Sequence, residues 1–177
     1  MTSKVNINQV IRRHFDTFKD KEMHYKPVDL FLFFGIPGIL SLTACFYSYE
    51  FTQAVISNLI NIEALLSGLL LNLLVLVYSL KERTPKVNVE VEGWKELQLK
   101  HQVVNEVFFN VAFSTLTGFI MLILTVLHNF ADGISIKGVY LNGNVIDPLI
   151  IFFGFNLILN FMMIIKRISA LFCNEGD

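Results

Sequence analysis

Four long apolar runs alternate with segments of a different character along this chain. The runs cover about residues 28–49, 59–80, 107–127 and 148–165. A helix needs about 20 mostly apolar residues to cross a hydrocarbon core of about 30 Å, so each run predicts a transmembrane helix. Ahead of the first run, Val10, Ile11, His14, Phe15 and Phe18 recur at helical spacing, with Arg12, Arg13, Asp16, Lys19 and Asp20 between them. That is one apolar face on a basic helix, suited to lie on a membrane surface or to pack against a neighbouring segment. Between the second and third runs, Val87 to Glu92 alternates apolar and polar residues, the pattern of a short strand or an extended linker. From Trp94 the period changes: Trp94, Leu97, His101, Val104 and Phe108 follow three- and four-residue steps. The stripe enters the third run without Pro or Gly, which predicts one helix over about 93–128, roughly 50 Å long. Its first turns form a stem outside the bilayer. In the 129–147 loop, apolar pairs flank Asp132-Gly133 and Asn142-Gly143, and predict a small hairpin with an Asn-Gly turn.

The expected fold is therefore an all-α integral membrane protein, a four-transmembrane helix bundle. Residues 1–27 form the amphipathic arm. Residues 28–166 form the membrane domain, with the stem at 81–106, and 167–177 are a tail. Composition agrees with this reading. Of the 177 residues, 54% are hydrophobic and 16% charged, against roughly 25% charged in a soluble domain. Such a chain has too few polar residues to coat a soluble surface, and too many aromatics to be disordered.

Charge adds an orientation. Thirteen of the 14 Lys and Arg residues precede the first run, lie between the second and third, or follow the fourth; Lys137 is the exception. The positive-inside rule then puts both termini and the stem in the cytoplasm, and the expected location is a bacterial inner membrane. A net charge of −1 gives no reason to expect nucleic acid.

Polar residues inside the runs are costly and mark packing or function. In the third run, Asn110, Ser114, Thr117, Gly118, Met121, Thr125 and His128 share one helical face. Two readings fit: a close helix-packing face, or the lining of a wetted pathway. Ala64, Gly68, Asn72 and Ser79 line one side of the second run, and the fourth carries Asn156 and Asn160. Asn72, Asn110 and Asn160 lie at similar depth, as a layer tying the bundle together or as a constriction around an oligomer axis. Glu63 is the one acid clearly within a run. It either reaches the outer headgroups, attracts cations at a pore mouth, or serves as a proton-coupled carboxylate. Gly35, Pro37 and Gly38 predict a kink in the first run. Trp94, Leu97, His101 and Val104 are the candidates for stem assembly, and Arg12 and Arg13 for headgroups or a partner.

No catalytic arrangement stands out. The four histidines show no metal spacing with Cys or carboxylates, and Cys45 and Cys173 lie at opposite ends of the bundle. There is no phosphate-binding loop, nucleophile elbow or His-Glu-x-x-His motif. The expectation is no enzyme, no metal and no cofactor.

A basic arm, four spans, a helical stem from Trp94 to Asn110, Asn72 in the second span and a tiny tail together resemble small four-span membrane components of prokaryotic anti-phage defence systems, among them the Kiwa membrane subunit and similar effectors. That resemblance implies an oligomeric channel, or a membrane sensor working with a cytosolic protein; it assigns no residue roles. Two functions follow as expectations: a homo-oligomeric channel or pore-type effector controlled through stem and arm, or a non-conducting anchor that recruits a cytosolic partner. The lipid bilayer is the common partner of both.

Overall fold

The computed structural model describes residues 7–19, 27–83, 94–131, 133–136 and 139–173. The elements run α1 (Ile7–Asp16), α2 (Pro27–Leu30), a π-helical turn (Phe31–Gly35), α3 (Ile36–Phe46), α4 (Gln53–Arg83) and α5 (Trp94–Phe130). A two-stranded hairpin (Ser135–Ile136 and Val139–Tyr140), a second π turn (Asn142–Ile146) and α6 (Asp147–Cys173) follow. Four helical segments are long and apolar enough to cross a membrane: Pro27–Phe46, Gln53–Arg83, His101–Phe130 and Asn142–Ser169. The protein is thus an all-helical integral membrane protein. The proposed strand at 87–92 lies outside the described residues.

The crossing helices are ordered α4–α5–α6–α3, each packing on the next. Among the described residues α3 and α4 do not meet, so the ring is open and both are edge helices. α5 is the centre, flanked by α4 and α6 and covered by α1 at its N-terminal part. Its spanning window is 44% buried, against 22% for that of α4 and 11% for the first crossing. The apolar core is Ile56, Leu70 and Val77 of α4, Val104, Val107, Val111 and Met121 of α5, and Ile150, Leu157 and Ile164 of α6, with smaller contributions nearby. Packing of these side chains and buried hydrogen bonds, rather than water exclusion, holds such helices together inside a bilayer.

Two local features follow directly from residue chemistry. Pro37 has no N–H to offer the Phe33 carbonyl four residues back, and its ring would clash there in a regular α-helix. The crossing absorbs this with the π turn at Phe31–Gly35. Asn156 Nδ2 on α6 donates to the Phe33 carbonyl at 3.0 Å, so the exposed backbone acceptor is satisfied and α3 is pinned to α6.

The second feature corrects the expected hairpin turn. Ser135 pairs with Tyr140 and Ile136 with Val139, so both strands of the hairpin end before Asn142-Gly143, which instead starts the approach to α6. Close packing explains the glycine. A Cβ on Gly143 would come within 2.9 Å of Glu50 Cγ and 3.0 Å of the Ser48 carbonyl oxygen, so the α3–α4 connection closes on this backbone. Among the described residues, the glycine that adopts a left-handed conformation is Gly133, at φ +72°. α4 also begins at Gln53, earlier than the expected span at 59, and leaves a tight connection from Tyr47 to Thr52.

Candidate functional site: a buried polar column along α5

The polar face of α5 points into its own chain. Asn110, Ser114 and Thr125 are fully buried, and Thr117 is 3% exposed. α4, α6 and α1 cover them. This arrangement brings most of the predicted polar residues into one column, and it adds partners that the periodicity did not reveal.

At the arm end of the column stands His14. The apolar face of α1 docks it between Phe113, stacked at 3.8 Å and 5°, and the edges of Phe15 and Phe18. Its Nδ1 is 2.9 Å from Asn110 Oδ1; facing a carbonyl oxygen, Nδ1 is the ring nitrogen that carries the proton. Thr17 Oγ1 donates to the His14 carbonyl at 2.6 Å, closing the turn after α1. Burial, chiefly, pushes the His14 pKa down to about 4; the Asn110 bond opposes this and the Arg167 charge adds to it. The imidazole is therefore neutral at physiological pH. Beside it, Arg167 of α6 pairs with Glu106 of α5, and its other nitrogen donates to the Thr17 carbonyl at 3.3 Å. A polar cavity of about 170 Å³ opens here, lined by Arg13, Asp16, Thr17, Gln102, Asn105, Glu106 and Phe109.

At the hairpin end the acids are inside. Glu63 is 2% exposed, and Thr125 Oγ1 donates to its Oε1 at 2.9 Å. Glu63 therefore faces α5 rather than the surface. One turn further on, His128 Nδ1 donates to Asp147 Oδ1 at 2.7 Å, while the Phe51 backbone N–H donates to Asp147 Oδ2 at 2.9 Å. Asn142 Nδ2 adds a 3.3 Å bond to the His128 carbonyl. Asp147 thus ties α5, α6 and the connection leading into α4 together.

Between the two ends the column is built from hydroxyls and amides. Ser67 of α4 faces Gly118 of α5, whose added Cβ would lie 3.5 Å from Ser67 Oγ. Asn160 Nδ2 donates to the Asn156 carbonyl and side chain, both at 2.8 Å. Thr117 Oγ1 bonds back to the Phe113 carbonyl. Several of these buried atoms have no hydrogen-bond partner among the described residues: Glu63 Oε2, Ser67 Oγ, Ser114 Oγ, Asn110 Nδ2, Asn160 Oδ1 and His14 Nε2. Native interiors leave few such atoms.

Asn72 is not part of the column. It is exposed on the outward face of α4, in line with Asn61, Ala64 and Gly68, which are exposed as well. Among the described residues, nothing beyond the helix's own backbone lies within 4 Å of a Cβ added at Gly68. Of the stem candidates, Val104 is buried, Leu97 and His101 are half-buried, and Trp94 opens α5 with its side chain outside the described residues. Arg12 and Arg13 are exposed on α1. Among the described residues no group of three or more His, Cys, Asp or Glu side chains is arranged to hold a metal.

Sequence reasoning missed Asp147, Ser67, the bond from Asn156 to the Phe33 carbonyl and the role of His14. A histidine on an otherwise apolar arm face was the available signal for His14. Asp147 sat in an expected loop, and nothing in its neighbours announced a partner 19 residues away. No family model, curated protein or solved structure matches this chain.

Proposed function

We propose that this chain is the subunit of a homo-oligomeric membrane channel or pore-type effector, with both termini and the stem in the cytoplasm, and that its subunits meet through the outward face of α4. The observation that carries the reading is Asn72, an exposed amide near the middle of a 31-residue apolar helix. An amide facing hydrocarbon without a partner costs about 4 kcal/mol or more. A second copy of the same face removes that cost, because an amide is both donor and acceptor and pairs with its own copy. Gly68 and Ala64, one and two turns away, let the helix backbones approach closely enough for such a bond. An assembly built this way has Asn61 and Asn72 near its axis. The lining is then α4, not the α5 face that sequence periodicity suggested, because that face is occupied within the subunit.

The basic residues support the orientation through the positive-inside rule. The resemblance to four-span defence components supports an effector role in antiviral defence in a bacterial inner membrane. Arg12, Arg13 and the stem are the surfaces offered to a cytosolic partner.

Native mass spectrometry from lipid nanodiscs and ion flux in proteoliposomes test this reading together. The wild type is expected to be oligomeric and to conduct. Gly68→Leu should give monomers, and Asn72→Leu should weaken the oligomer and lower the flux. A wild-type monomer would sink the assembly. An intact oligomer without flux, with or without a cytosolic partner, would leave the non-conducting anchor. The extent to which α5 is occupied within its own chain favours that second reading.

A further inference from the structure

Five of the eight buried atoms without a partner among the described residues fall in one series. Glu63 and Ser67 are one turn apart on α4. Ser67 faces Gly118, Ser114 is one turn from Gly118, Asn110 one turn from Ser114, and His14 binds Asn110. Among the described residues, Glu63 Oε2, Ser67 Oγ, Ser114 Oγ, Asn110 Nδ2 and His14 Nε2 have no partner. From Thr125, which holds Glu63, to Asn110 the column rises about 22 Å, most of the thickness of a hydrocarbon core. In a bilayer no solvent from the side can relieve such atoms. Buried water is what ordinarily does so. One water between polar atoms spans about 5.5 Å through two hydrogen bonds, close to the pitch of about 5.4 Å that separates Glu63 from Ser67 on α4 and Ser114 from Asn110 on α5.

We infer that the interior of each subunit carries a file of water from Glu63 to His14, and that this file conducts protons. The chemistry of the members fits protons better than metal ions. A carboxyl group takes up and releases H⁺, serine hydroxyls donate and accept, and the unprotonated His14 Nε2 can accept a proton from water and return it to water. Only O–H and N–H bonds form and break, one forming for each that breaks, and no electron changes hands. The members are each at most 5% exposed, so they are closed off from the outside of the subunit. A hydrogen-bonded file needs no bore wide enough for a hydrated ion.

Both ends have titratable groups to load and unload the file. At the hairpin end the His128–Asp147 pair lies one turn from Thr125 and Glu63. At the arm end Arg167 bears on His14 and pairs with Glu106, which lines the polar cavity with Arg13, Asp16 and Thr17. The path runs inside the subunit and is separate from any axis between subunits.

The test uses the full chain in phosphatidylcholine–phosphatidylglycerol vesicles enclosing a pH-sensitive dye, with a potassium diffusion potential driving H⁺ inward. Wild-type vesicles are expected to acidify several-fold faster than protein-free vesicles. Glu63→Gln keeps an acceptor for Thr125 but cannot carry a proton, and should cut the rate by about 100-fold, the low end for loss of a proton-transfer group. Ser114→Val should also block the file. Gly68→Leu, which separates the subunits, should retain proton flux per chain, so failure of the oligomer and failure of the file are distinguishable. Should Ser114→Val not fold, Glu63→Gln and His14→Gln decide the matter, since both keep a polar side chain of similar reach. Wild-type flux no greater than that of empty vesicles, or equal flux in wild type and Glu63→Gln, overturns the inference.

Discussion

Two polar stripes run along neighbouring helices of this protein, one on the inner face of α5 and one on the outer face of α4. The first is covered by the chain's own α1, α4 and α6, and its members are fixed by named partners: Asn110 by His14, Thr125 by Glu63, His128 by Asp147. The second, from Asn61 through Ala64 and Gly68 to Asn72, faces outward. Both stripes have the same helical spacing. The difference shows that polar periodicity in a transmembrane segment marks where a partner is needed, but not whether the partner belongs to the same chain. Substitutions on the two stripes should therefore have opposite consequences: loss of the fold in one case, loss of assembly in the other.

Asp147→Ala gives the sharpest contrast. It leaves the His128 ring and the Phe51 N–H without their acceptor inside the protein, and should cost about 3–4 kcal/mol. Denaturant titration in detergent, followed by circular dichroism, would measure it; a loss below about 1 kcal/mol would show that the tie is dispensable. Next comes Asn110→Leu, which orphans His14 Nδ1 in an aromatic pocket and should cost about 2–3 kcal/mol. Its effect should be concentrated on α1, seen as faster amide exchange there than in α4.

Acidification probes the same contact without mutation. His14 has a pKa near 4 when docked and about 6.5 when released. The released state therefore binds more protons between these values, and docking is fully favoured above about pH 6.5 and weakens as pH falls towards 4. At pH 5.5 the loss should be about 1.4 kcal/mol, and His14→Phe should abolish that pH dependence in a protease-accessibility assay of the arm. The smallest effect on the subunit itself belongs to Asn72→Leu. Its folding stability should change by no more than about 0.5 kcal/mol, while the oligomer weakens. A large loss of subunit stability would place Asn72 with the inner stripe and erase the contrast.

Much of this architecture was legible because each helix announces itself by length and apolar content. The 93–128 prediction and the observed α5 at Trp94–Phe130 describe the same helix, since no Pro or Gly interrupts the stripe before Gly118. The ends of elements were harder. Thr52 and Gln53 are polar, yet α4 begins there, since Asp147 holds the backbone of Phe51 from across the fold. Asn142-Gly143 carried a strong turn signal, but the close approach of Ser48 and Glu50 determined its use. For the site, periodicity grouped Asn110 to His128 correctly on one face. It could not supply Ser67, Asp147 or the docked His14, because those partners come from other segments and are joined by packing rather than by spacing.

α5 has a mechanical consequence of its own. Its 37 residues form one unbroken rod, about 55 Å long, and its two ends are gripped differently. Near the hairpin the His128–Asp147 tie acts as a pivot. Towards the other end the arm clasps the rod at Asn110 and Phe113, and the helix continues beyond that clasp to Trp94. A partner pushing on the tip would tilt a stiff shaft rather than bend a loop, and the tilt would be felt along the whole α4–α5 seam at once.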